Sequence, residues 1–198
     1  VSFAALPVAF TVAAHPKMVD SVHPRLIELA RISPVGTAGC FAVGLANGAF
    51  WTLGPVFAAN ARLDAAGIGL FMSAVVIGGA IAQWPLGTFS DRLDRRFVML
   101  VAASIALGAA IALMILPNAD RTTMLLAGAV FGAGAFPLYP LAVAHANDNA
   151  RSDQFVEVSS GLLLVFGIGA AIGPLLASLV RQVMGMPMLF VFTGAVHM

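Results

Sequence analysis

The sequence predicts an all-α polytopic membrane protein, on three observations. Hydrophobic residues make up 60% of the 198, where soluble domains hold roughly half. Charged residues make up only 10%, against about a quarter in soluble domains. Those few charges gather between apolar runs that each approach the ~20 residues needed to cross a ~30 Å hydrocarbon core. Mean hydropathy is +0.97.

Taken in order, Val1 to Ala14 is apolar but has no initiating Met and no basic flank. It is expected to be the tail of a helix rather than a signal peptide. The connector 15–34 carries Lys17, Asp20, Arg25, Glu28 and Arg31 and closes on Ser33-Pro34, a capping hydroxyl followed by proline at the first helical position. Full spans are predicted at 35–59, 67–89, 97–117, 122–145 and 157–180. In the fourth, Pro137 and Pro140 around Tyr139 free backbone carbonyls and permit a kink. A second partial span occupies 187–198, so both ends are expected to be cut within helices.

The charges also orient the spans. Loops 15–34, 90–96 and 146–156 hold seven Lys or Arg, and the loops on the other side hold only Arg62, Arg121 and Arg181. Positive charge stays in the cytoplasm, so the first three loops are predicted to be cytoplasmic. There is no basic face for nucleic acid. A lone Cys40 inside an apolar span excludes an internal disulfide or a cysteine-based metal site. No cofactor, metal or catalytic residue is expected.

Small residues recur every fourth position: Gly36, Cys40, Gly44, Gly48 and Thr52, then Gly128 and Gly132, then Gly169, Gly173 and Ala177. Such stripes let helix backbones approach closely where lipid removes the hydrophobic drive. Gly44, Gly48, Gly169, Gly173 and Pro174 are therefore read as packing positions.

The densest charge cluster is Gly87-Thr88-Phe89-Ser90-Asp91-Arg92-Leu93-Asp94-Arg95-Arg96, with five charges in its last six residues. An ordinary loop on the charged side would also carry such residues. Its spacing, however, resembles the Gly-x-x-x-Asp-Arg-x-Gly-Arg-Arg signature of the major facilitator superfamily. Gly87, Asp91, Arg92, Arg95 and Arg96 match, and Asp94 departs from the family's more usual glycine. His145-Ala146-Asn147-Asp148 and Val156-Glu157-Val158-Ser159-Ser160-Gly161 are similar to a bacterial branch of that family whose members are mostly uncharacterised. The resemblance implies an alternating-access secondary transporter with two six-helix halves, each a pair of inverted three-helix repeats. On that register the chain runs from the end of helix six (1–14), through the loop between halves (15–34), to the start of helix twelve (35–198). Gly167 to Pro174 then falls in helix eleven, where members often carry glycine and proline.

The same resemblance makes Gly87, Asp91, Arg92, Asp94, Arg95, Arg96 and Glu157 gating candidates. Asp91 can pair with Arg95 one turn on, or accept amides at the start of the 157–180 helix. Glu157 can receive Arg92 or Arg96, or simply cap its helix. The expected partners are the lipid bilayer, a missing N-terminal half and a small organic solute, in a bacterial plasma (inner) membrane.

No Asp, Glu, Lys or Arg lies mid-membrane, so a proton-coupling carboxylate, if the carrier uses one, lies outside this segment. The polar candidates for a substrate cavity are Asn47, Gln83 and Tyr139, with Phe50 and Trp51 beside Asn47. The alternative is that Asn47 and Gln83 hydrogen-bond between helices and Trp84 anchors at the interface. His145, Asn147 and Asp148 mark the cytoplasmic mouth; His145 suits a gate hydrogen bond or a proton stop there, since histidine is the residue type used for both, but also suits a structural role at a helix end. Competing classes are a non-transporting membrane subunit and an intramembrane hydrolase built on Ser159, Ser160 and His145. The hydrolase lacks a recognisable nucleophile motif.

Overall fold

Ser33 and Pro34 begin the first long helix as the cap pattern requires. The Ser33 hydroxyl accepts the Gly36 amide at 3.2 Å, and Pro34 occupies the first turn, where its missing N–H costs nothing. The computed structural model describes residues 26–115, 119–184 and 188–197. The expected partial span 1–14 and the connector as far as residue 25 lie outside the described residues. A short helix α1 (Leu26–Ile32) precedes α2 (Pro34–Asn60), and the Thr37 hydroxyl joins them by donating to the carbonyls of Leu29 and Ser33. There follow α3 (Ala65–Ser90), α4 (Arg95–Ile115), α5 (Arg121–Ala135), α6 (Leu138–Asp148), a 3-10 turn at Ser152–Gln154, α7 (Phe155–Met184) and α8 (Met188–His197).

Carboxylates at helix starts replace the missing intrahelical acceptors. Asp64 accepts the Gly67 amide at 2.8 Å to begin α3. Asp120 accepts the Thr122 and Thr123 amides to begin α5. The Thr123 hydroxyl, and then those amides, hold the Asp120 carboxyl below the usual carboxylate range. Arg62, between α2 and α3, takes a left-handed φ of 62°.

The fourth predicted span is two helices in series. Its chain breaks at Phe136-Pro137, where the imide nitrogen cannot donate back to the preceding turn. Arg121–Asp148 is still long and apolar enough to cross as one unit, as are α2, α3, α4 and Ser152–Gln182. At 26 or 27 residues, α2 and α3 are each about 40 Å long.

Packing divides these helices into two three-helix units, α2–α3–α4 and α5/α6–α7–α8. The first helix of each packs against the second of the other, giving the two broadest contacts, α2 with α7 and α5 with α3. The third of each packs against the first of the other, α4 with α5 and α8 with α2, and α4 also meets α8. This exchange is what a two-fold relation between inverted repeats produces.

Glycine makes the two broad contacts possible. A Cβ on Gly44 or Gly48 would run into the backbone of Phe166 or Ala170 on α7. One on Gly169 or Gly173 would strike Phe41 or Leu45 on α2. Across the related contact, Gly132 meets Val75 of α3 and Gly78 meets Ala129 of α5, again backbone to backbone. The core between the units is aromatic: Phe50, Phe131, Phe190, Phe57 and Phe71 are buried and touch in succession.

Outside this core, Ile77, Ile81, Leu100, Ile111, Leu163, Leu175 and Leu179 stand exposed. In water so broad an apolar surface would drive aggregation; on helices of this length it faces hydrocarbon. The chain is an integral, multi-pass membrane segment.

Candidate functional site

The charged cluster forms a tight turn between α3 and α4. The Asp91 amide closes the last turn of α3 on Gly87 O at 3.1 Å, and the Leu93 amide reaches Phe89 O at 2.9 Å. Asp94, just before α4, accepts the Arg96 amide at 2.8 Å. The residue that departs from the family pattern thus works as a helix cap.

Arg95 stands at the first turn of α4 and its guanidinium gathers three partners. Nε donates to Asp148 Oδ2 at 2.5 Å, and Nη1 lies 3.3 Å from Asp91 Oδ1 and 3.1 Å from Ser90 Oγ. Ser90 is buried, and its hydroxyl in turn donates a hydrogen bond to Gly87 O at 2.8 Å. One planar fork therefore ties the end of α3, the start of α4 and the end of α6 together. Arg95 is 21% exposed and its two carboxylate partners are more than half exposed. Each pair contributes at most about 1 kcal/mol.

The expected i,i+4 pair between Asp91 and Arg95 is present. The expected approach of the cluster to the start of the 157–180 helix is not. Because α3 packs on α5 while α7 packs on α2, the start of α7 lies across α6 from the turn. Glu157 instead lines a narrow cleft with Glu28, Leu29 and Ile32 of α1. Arg92 and Arg96 remain exposed and, among the described residues, make no ion pair with Glu157. The partner that sequence reasoning missed is Asp148, marked only as a mouth residue. Ser90 was missed altogether; its one available signal was its place beside Asp91.

The last turn of α6 completes the polar end. His145 is 9% exposed and lines a cavity of about 380 Å³ with Asp91, Asp94, Arg95, Asp148 and Asn149. Asn147 faces away from it: its Nδ2 donates to Ser159 Oγ at 3.4 Å, and its buried Oδ1 has no partner among the described residues. A second cavity of about 270 Å³ shares Ser90, Asp91 and Arg95 and extends past Gly87, Pro137 and Pro140 to Gln83. The linings of the two cavities, joined at Ser90, Asp91 and Arg95, thus run from Gln83 on α3 to Asp148 on α6. A third cavity, about 480 Å³ between α2 and α4, is separate and apolar apart from Arg96.

Nearer the middle of the helices, Trp51 is 50% exposed and stacks on Phe136 with ring centroids 5.9 Å apart and an interplanar angle of 28°. Tyr139 lies against Phe166 at 4.7 Å. Phe50, expected to line a cavity, is 1% exposed and belongs to the core, where it buttresses Trp51 and Phe136 edge-on. It points inward because the i+3 and i+4 positions Leu53 and Gly54 share its buried face. The side chains of Asn47 and Gln83 make no hydrogen bond among the described residues, so the interhelical bonds considered for them are absent. Trp84 is 81% exposed near the end of α3. Among the described residues, no group of three or more His, Cys, Asp or Glu could hold a metal ion.

Comparison with known proteins agrees with this geometry. The family profile of the Major Facilitator Superfamily matches residues 37–198. The chain is 30% identical over 166 residues to the "Uncharacterized MFS-type transporter Ent638_1421" of Enterobacter sp. (strain 638), an alignment covering 84% of this chain and 42% of the relative. Alignments with the same coverage reach the "Uncharacterized MFS-type transporter YcaD" of Escherichia fergusonii, at 29% identity, and of Salmonella paratyphi B, at 30%. The chain thus spans less than half the length of the curated relatives it matches.

Proposed function

This chain belongs to the Major Facilitator Superfamily, and we propose that it supplies the second six-helix half of a secondary transporter. That transporter moves a small organic solute by alternating access. In this reading a first half of similar architecture faces the Gln83–Asp148 cavities and the Trp51–Tyr139 wall. The loops 90–96 and 146–156, with the connector before α2, lie on the cytoplasmic side of a bacterial inner membrane.

The observation that carries the reading is the Arg95 fork. A transporter that opens to either side needs a contact that is strong enough to bias two states and weak enough to break in each cycle. Two half-exposed ion pairs, each worth up to about 1 kcal/mol, together shift such an equilibrium by up to roughly thirtyfold. They do so without deciding whether the bundle folds.

The test uses the full-length protein in proteoliposomes with a panel of labelled organic solutes. Saturable uptake of at least one solute, abolished by Arg95→Gln with membrane insertion intact, is the expected result. For orientation, Leu93→Cys and Ala66→Cys in a Cys40→Ala background should react with an impermeant thiol reagent from opposite sides. Uptake indifferent to Arg95→Gln, or both cysteines reacting from outside, contradicts the reading.

A further inference from the structure

Along one side of α2, Cys40, Val43, Asn47 and Trp51 recur at spacings of three and four residues, so they face the same way. The partners on α6 and α5 follow in the same order. Tyr139 packs in the clusters of Cys40 and Val43, and Trp51 stacks on Phe136. Asn47 therefore sits between two aromatic pairs, Tyr139–Phe166 and Trp51–Phe136, about 6 Å along the helix axis from Val43 and from Trp51.

Its amide, like that of Gln83, is unpaired among the described residues. Hydroxyls within the same helices are satisfied internally: Thr52 donates to Gly48 O at 3.0 Å, Thr37 to Ser33 O at 2.8 Å and Ser104 to Leu100 O at 2.7 Å. The Asn47 amide and the Tyr139 hydroxyl have no such partner among the described residues. An unpaired amide at membrane depth is costly unless something else pairs with it. No Asp, Glu, Lys or Arg lies between Pro34 and Asn60, between Thr122 and Ala144, or between Val158 and Val180. A charged solute would lose its hydration here without a counter-charge from this wall.

We infer that this wall binds an uncharged, planar aromatic compound. Its ring stacks on the exposed face of Trp51, and a neutral donor–acceptor edge such as a carboxamide pairs with the Asn47 amide and the Tyr139 hydroxyl. The stacking face selects the ring. The unpaired amide selects the edge, since an analogue that cannot complete its hydrogen bonds leaves it orphaned. The inference deepens the carrier reading by naming a solute class, and it rests on that reading only for what the binding accomplishes.

The test measures binding apart from transport. The full-length protein is placed in nanodiscs with Trp84, and any tryptophan outside this segment, replaced by phenylalanine, so that emission reports Trp51. Quenching is titrated with 1-naphthamide, its anionic isostere 1-naphthoate and the non-aromatic cyclohexanecarboxamide. Saturable quenching by 1-naphthamide is expected, with 1-naphthoate and cyclohexanecarboxamide at least about tenfold weaker. Asn47→Leu should weaken 1-naphthamide about five- to tenfold, as the loss of one net hydrogen bond does. Tyr139→Phe, which removes only a hydroxyl and spares the fold, should weaken it severalfold. Thr52→Val, whose hydroxyl serves its own helix, should leave it unchanged. Unsaturable quenching, equal affinity for 1-naphthoate, or binding indifferent to both Asn47→Leu and Tyr139→Phe overturns the inference. Binding without uptake into vesicles would refute the carrier reading while leaving this site standing. Uptake of other solutes with no naphthamide binding would do the reverse.

Discussion

Arg95 serves three acceptors on two helices, and the planar spread of its guanidinium is what lets it reach Asp148 and Asp91 at once. A lysine ammonium is a point charge and holds one carboxylate at a time. Beside it, Asp94 has a separate and local duty, accepting the Arg96 amide at the start of α4. At such a position glycine costs only a few tenths of a kcal/mol relative to aspartate, while alanine costs about 0.5–2 kcal/mol. Thermal unfolding of the full-length protein in detergent should therefore rank Asp94→Gly close to the parent and Asp94→Ala clearly below it. The reverse order would mean that the carboxylate acts through charge rather than as a cap. This also accounts for the departure from the family's glycine: either residue can begin this helix.

At the scale of the element, what the sequence revealed depended on whether the information was local. The Ser33-Pro34 start, the apolar runs and the glycine stripes on α2 and α7 are periodic or adjacent features, and each reappears in the fold. Pro137 and Pro140 announced a kink, and the chain goes further, ending one helix and starting another. The pairing of Arg95 with Asp148 was not legible, because 53 residues separate them and only the packing of α3 on α5 and α6 brings them together. For the same reason the pairing of Glu157 with Arg92 or Arg96, one of two roles considered for it, does not form, and Glu157 faces α1. Phe50 was grouped with its neighbours Asn47 and Trp51 as a cavity candidate, though adjacent helical positions point about 100° apart and Phe50 is buried in the core.

The glycines separate two kinds of space. Gly48→Leu drives a side chain into the Ala170 backbone, and overpacking of this sort costs about 1–3 kcal/mol. Gly87→Ala meets nothing within 4 Å among the described residues and gains helix propensity worth up to about 1 kcal/mol. Unfolding midpoints should fall for Gly48→Leu and hold or rise for Gly87→Ala. If Gly87→Ala were the more destabilising, the open space above Gly87 would not exist in the assembled protein.

For the whole molecule, the exchanged pairing of two three-helix units gives a half-bundle with closely packed glycine seams. In the proposed carrier this half moves as a body, and the Arg95 fork stands where that movement would open or close its end. The account therefore turns on whether the fork biases that opening. The most direct measurement is the alkylation rate of Ala144→Cys, beside the Gln83–Arg95 cavity, in the Cys40→Ala full-length protein. It is compared with and without Arg95→Gln, Asp91→Asn and Asp148→Asn. The account predicts faster alkylation in all three, by up to about fivefold for each aspartate variant, as the loss of about 1 kcal/mol gives, and by more for Arg95→Gln, which loses both pairs. An alkylation rate that stays the same or falls when Arg95 is replaced would contradict it.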